Sequence, residues 1–120
     1  MPDLKTTDDI TKFMEHFYGQ LLSNPITAPV FEEIDMQLHM PKVVAFWERI
    51  AFGTGQYSGS PFEPHVPLDL KADHFNISFE TFCSCLDDHF EGATASMVKE
   101  RARSIAFIFS HKLGLPEPNI

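Results

Sequence analysis

Between Gly53 and Leu70 the chain places Gly53, Gly55, Gly59, Pro61, Pro64 and Pro67, and no long helix passes through such a run of breakers. These 18 residues divide a chain of 120 into two halves that each carry apolar residues at helical spacing. A loop this long exceeds what a compact domain ordinarily leaves without structure, and such loops are more often functional than idle. With 120 residues there is room for one hydrophobic core, so a single domain over 1–120 is expected.

Ahead of the loop, Ile10, Phe13, Met14, Phe17, Tyr18, Leu21 and Leu22 recur at i, i+3, i+4 and i+7, with Thr6, Thr7 and Asp8 as cap candidates. Asn24-Pro25 ends this helix, and Val30, Phe31 and Ile34 fall in one or two short turns. A second helix is predicted to begin near Met36 to Pro41, with Pro41 in its first turn. Its face runs through Met40, Val43, Val44, Trp47, Ile50 and Ala51, and Gly53 and Gly55 close it. Beyond the loop, Phe75, Phe79, Phe82, Cys83, Leu86 and Phe90 define a third helix closed by Gly92. Val98, Ala102, Ile105, Ala106, Phe109 and Leu113 define a fourth, closed by Gly114 and Pro116. No strand pattern competes, so the fold class is all-α.

Charge and thiol content narrow the partners. Nine Lys and Arg stand against 17 Asp and Glu, a net charge of −8, and the cations do not cluster. That disfavours nucleic acid and anionic membrane. No apolar run approaches the roughly 18 residues of a membrane span, and no secretory pattern opens the chain, so a cytoplasmic location is expected. Cys83 and Cys85 point to opposite sides of a helix and do not suit a disulfide. The absence of Cys-x-x-Cys-His excludes a covalently attached c-type haem. Motifs for di-iron carboxylate, zinc-protease, P-loop and nucleophile-elbow chemistry are absent as well.

Three polar residues could carry chemistry. Tyr18 lies four residues from both Met14 and Leu22, so its ring is on the buried face. Its hydroxyl then acts either as a directed donor or as a core group satisfied by a backbone carbonyl. His39 begins the apolar face of the second helix, where it looks inward or sits half-exposed near the helix start. His65 lies between Pro64 and Pro67, which stiffen its backbone and reduce the entropy lost on fixing an imidazole to a metal. A single imidazole suffices for a haem iron, whose equatorial ligands are the porphyrin's own; the competing reading is a loop histidine in water.

Ordered blocks along the chain give a further lead. They are Phe17-Tyr18, Ala28-Pro29-Val30-Phe31, His39-Met40-Pro41, Phe46-Trp47, Gly55-Gln56-Tyr57-Ser58-Gly59-Ser60-Pro61 leading to His65, Asp73-His74-Phe75, and Arg101-Ala102 with Ile105-Ala106. In order and spacing they resemble the truncated haemoglobins, two-over-two helical sandwiches around haem, and above all the group III branch. The resemblance runs from about residue 10 to 112. It implies haem b (iron protoporphyrin IX) with His65 as the metal ligand, and Tyr18 and His39 on the distal, ligand-stabilising side. Val43 and Trp47 then follow on the distal helix, Tyr57 lies at the haem edge, and Phe31 and Phe75 line the cofactor. Where the group III pattern usually has Trp, this chain has Ser78, which removes one of the usual distal donors.

The implied function is binding of oxygen or another diatomic gas such as NO or CO, with the Tyr18 phenol donating a hydrogen bond to the ligand. Nitric oxide dioxygenase or peroxidase-like turnover shares this site and would need a reductase or an oxidant as partner. The rival reading is a haem-free helical sensor or interaction module of globin descent, with the slot filled by side chains. The twelve Phe serve either reading, as pocket wall or as plain core.

Overall fold

The computed structural model describes residues 1–54 and 69–120. Among these, four α-helices and one short 3₁₀ turn form, with no strand: α1 (Thr7–Ser23), the 3₁₀ turn Ala28–Phe31, α2 (Met36–Phe52), α3 (Ala72–Asp87) and α4 (Ala93–Lys112). The predicted all-α class is what the chain adopts. None of these helices is long and apolar enough to cross a membrane.

Local chemistry fixes most of the helix ends. Thr6 caps α1 in a reciprocal box with Asp9: the Thr6 hydroxyl accepts from the Asp9 amide, and the Asp9 carboxylate accepts from the Thr6 amide. Asp35 caps α2 by accepting from the Gln37 amide at 3.0 Å. Gly53, at φ 71°, ends α2 in the left-handed conformation that costs glycine least. Between α1 and α2 the chain is pinned by Thr27, a buried residue whose hydroxyl donates to the Leu21 carbonyl at 2.7 Å.

Three expectations about helix ends need correction. Pro41 is not in the first turn of α2, because the helix starts five residues earlier at Met36 and Pro41 lies inside it. Gln37, whose carbonyl loses its i+4 donor there, is exposed. The third helix does not run to Phe90: it stops at Asp87, and a turn carries Phe90 into the core with only 3% of its surface exposed. Gly92 does not close α3 but stands at the N-cap of α4. It has no side chain to cap with, and the Asp3 carboxylate does so from the far end of the chain, accepting from the Thr94 amide at 2.9 Å and the Ala95 amide at 2.8 Å. A Cβ on Gly92 would lie 2.5 Å from the Asp3 Cγ, so this approach needs glycine. Leu4 follows into the core, which ties the N-terminal segment to the fold.

The helices pack as two antiparallel pairs. Thr7 bonds Glu48 while Tyr18 meets His39, so α2 runs back along α1. Lys99 pairs with Asp87 while Arg103 lies over Phe79, so α4 runs back along α3. Further contacts join α1 to α3 and α2 to α4, whereas the backbones of the diagonal pair α2 and α3 keep more than 8 Å apart. Ile10, Phe13, Met14, Phe17 and Leu21 of α1 meet Phe82, Cys85 and Leu86 of α3 and Val98 of α4 in one buried core. Cys83 and Cys85 are both free.

Candidate functional site

Tyr18 and His39 come together. The sequence places Tyr18 on the buried face of α1 and His39 at the start of the apolar face of α2, and the antiparallel crossing of the two helices sets Tyr18 Oη 3.1 Å from His39 Nε2. Their rings stand nearly perpendicular, at 88°, with centroids 5.2 Å apart. Phe17 and Phe31 hold the other sides of the Tyr18 ring edge-on at 5.2 and 5.7 Å. The phenol therefore meets an imidazole instead of a backbone carbonyl. Burial pushes its pKa well above the ordinary tyrosine value, so it stays protonated and able to donate.

The wall beside this pair is apolar and only half-covered. No residue of α2 is buried, although Met40, Val43, Val44, Trp47, Ala51 and Phe52 pack against the core with part of their surface. On α3 the first turns behave alike: Phe75, Ile77, Ser78 and Phe79 are half-buried, while Phe82, Cys85 and Leu86 further along are buried. Helices with apolar faces ordinarily bury them. Two such faces, on helices whose backbones stay apart, suit a broad apolar group between them, and a porphyrin has that character. Among the described residues no three His, Cys, Asp or Glu side chains converge as a metal site. His65 and Tyr57 lie outside the described residues.

No family model matches the chain. Over 113 residues it is 26% identical to the group 3 truncated hemoglobin ctb of Campylobacter jejuni, a match spanning 88% of this chain and 89% of that protein. The crystal structure of the group III truncated hemoglobin from Campylobacter jejuni superposes with a TM-score of 0.84 at 25% identity, over 94% of this chain and 95% of that one. The fold is that of a truncated haemoglobin. Both of these long matches carry group III in their names, in agreement with the sequence blocks. A group 1 truncated hemoglobin, GlbN of Nostoc commune, is 31% identical over a shorter stretch of 68 residues, 56% of this chain and 58% of that protein.

Within this truncated-globin fold some of the residues singled out from sequence come together and others do not. Phe31 and His39 each contact the Tyr18 ring. Val43 lies one turn beyond His39 on α2 and Trp47 a further turn along, both half-buried. Phe75 sits in the first turn of α3, half-buried. Two further rings adjoin Tyr18 and Trp47 and were not assigned a role from sequence. Phe82 touches Phe13, Phe17 and Trp47, and Phe17 links Phe82 to Tyr18. The available signal was Phe82 lying seven residues after Phe75, two helical turns along one face. His74 is occupied elsewhere: its Nδ1 accepts from the Lys71 amide at 2.8 Å and caps α3.

Proposed function

We propose that this chain holds haem b between the half-covered faces of α2 and α3, with His65 as the metal ligand, and binds oxygen or another diatomic gas beside Tyr18. The observation that carries this reading is the Tyr18–His39 hydrogen bond set at one end of an apolar wall that the protein does not itself bury. The haem supplies the metal that holds the gas. Val43 and Trp47 from α2, and Phe31 and Phe75 from the turns flanking the slot, contribute apolar contact to the porphyrin, with Tyr57 at its edge. These contacts also exclude water, which strengthens any hydrogen bond made inside. The Tyr18 phenol is neutral, ring-locked and protonated, and it donates toward the ligand as negative charge develops there.

A haem-free module would be expected to bury these faces fully under its own side chains, and the apolar residues of α2 and of the first turns of α3 that stay only half-buried argue against that. Turnover of nitric oxide or peroxide uses the same residues and depends on an external reductase or oxidant. Haem titration of the purified chain, followed by the Soret absorbance, tests the reading. Stoichiometric binding is the expected outcome, and no saturable band would overturn it.

A further inference from the structure

We propose that the segment after α4, residues 115–120, is a strap that holds the first turns of α3 in place, and that Asn76 is the positioning residue it grips for retention of the cofactor. The proposal rests on the haem reading above and deepens it. A segment beyond a domain's outermost helix frays unless it is tied down. This one is tied down at each step. Gly114, at φ 72°, reverses the chain: its amide donates to the His111 carbonyl at 3.1 Å and the Leu115 amide to the Ser110 carbonyl at 2.9 Å, the paired bonds of a glycine-ended helix. Leu115 and Glu117 then line one groove with Phe107, Ile108 and His111, so the segment runs back beside α4. Pro116 and Pro118 fix φ at two positions, which lowers the entropy lost on docking. Pro118 is buried, and the next amide, that of Asn119, donates to the Asn76 side-chain oxygen at 2.9 Å.

The grip falls where α3 has least support of its own. No residue of α3 ahead of Phe82 is buried, so residues 72–81 are held by partial contacts alone. The start of the helix is capped from within, by His74 accepting from the Lys71 amide, and that bond ties the turn to itself and not to the core. The Asn119–Asn76 bond adds a tether in the turn that carries Phe75, the residue beside Asn76 and one of those assigned to the porphyrin. A helical turn moves as a unit, so a tether on Asn76 limits the excursions of Phe75. With the strap docked, the α3 wall of the slot is preorganised, and fewer open conformations exist through which haem can leave.

The test compares haem transfer to an excess of an apo-globin acceptor with amide hydrogen exchange of the haem-free and haem-loaded chains. Asn76→Leu removes the acceptor, so haem leaves about fivefold faster and the amides of residues 72–79 exchange about fivefold faster. Asn119→Pro removes the donor at an exposed position, gives the same changes, and adds nothing in the Asn76→Leu background. Asn76→Asp, whose carboxylate still accepts, returns both readings to wild type. The first turns of α3 exchange by local opening, so a loss of stability placed elsewhere, Thr6→Ala at the cap of α1, leaves both readings unchanged. Unchanged α3 exchange in both single variants, equal acceleration in Thr6→Ala, or a loosened α3 with unchanged haem loss each overturns the proposal. A wild-type chain that takes up no haem contradicts the haem reading, and exchange in the haem-free chain still decides whether the strap holds α3.

Discussion

The Trp47 indole meets the Phe82 ring at 4.8 Å between centroids, tilted by 47°, across two helices whose backbones stay more than 8 Å apart. Phe82 continues inward to Phe13 at 4.8 Å and Phe17 at 5.3 Å, both edge-on. One ring thus joins the buried core to the half-covered wall of the slot. Buried aromatic pairs of this geometry stabilise by about 0.5–1.5 kcal/mol each beyond the area they remove from water. Phe82→Ala removes three of them and leaves a cavity, so unfolding in urea should show a loss of about 3–5 kcal/mol. A loss below about 1 kcal/mol would mean that the rings close over the gap and that Phe82 is no keystone.

Tyr18→Phe keeps the ring and its contacts with Phe17 and Phe31 and deletes only the hydroxyl. One charge-assisted hydrogen bond to the ligand is then lost, which speeds oxygen release by about tenfold, measured by stopped flow on the haem-loaded protein. The fold should be indifferent, since the deleted hydroxyl bonds only the half-buried His39 among the described residues.

Ser78 is half-buried on α3, one turn before Phe82. Replacing Ser78 with Trp places an indole N–H where the group III pattern usually has one. Oxygen release from Ser78→Trp should slow by about fivefold, and a bulky isocyanide should bind more weakly than in the wild type. Unchanged values for both ligands would put position 78 outside the gas site.

Asp3 gives the fold a defined acid sensitivity. Burial pushes its carboxyl up, but the amides of Thr94, Ala95 and Leu4 donate to it and together bring it below its ordinary 3.8. A folded-state pKa below the unfolded one means that the carboxylate contributes stability above pH 3.8, and that this contribution is lost as pH falls through the folded value. Asp3→Ala should cost about 1 kcal/mol at neutral pH, as for loss of a helix cap, and the gap to wild type should close below pH 3.8 in denaturation curves. A gap that stays constant with pH would assign the cost to packing alone.

The contrast between α1 and α4 shows what a sequence can disclose. The Thr6 cap of α1, its apolar stripe and the Gly53 stop of α2 are local, each set by residues within a turn of where they act, and each was legible. Gly92 was read as the end of α3 and not as the N-cap of α4 because the capping group comes from Asp3, 91 residues away from Thr94, and no window of neighbouring residues contains both. Phe90 was misread for a related reason. It continues the apolar pattern of α3 and is buried, but burial is reached by a turn, and periodicity alone does not separate the two. Likewise the buried face of Tyr18 followed from spacing, whereas for His39 spacing left inward and half-exposed positions open, and the meeting of the two required the crossing of α1 and α2.

The account stands on the imidazole of His65, and absorption spectroscopy of the purified protein with haem, before and after His65→Ala, tests it most directly. The wild-type chain should show a sharp Soret band at one haem per chain, and His65→Ala should lose it or release the haem to an excess of an apo-globin acceptor. A wild type with no Soret band, or an His65→Ala protein with the same spectrum and the same retention of haem, would contradict it.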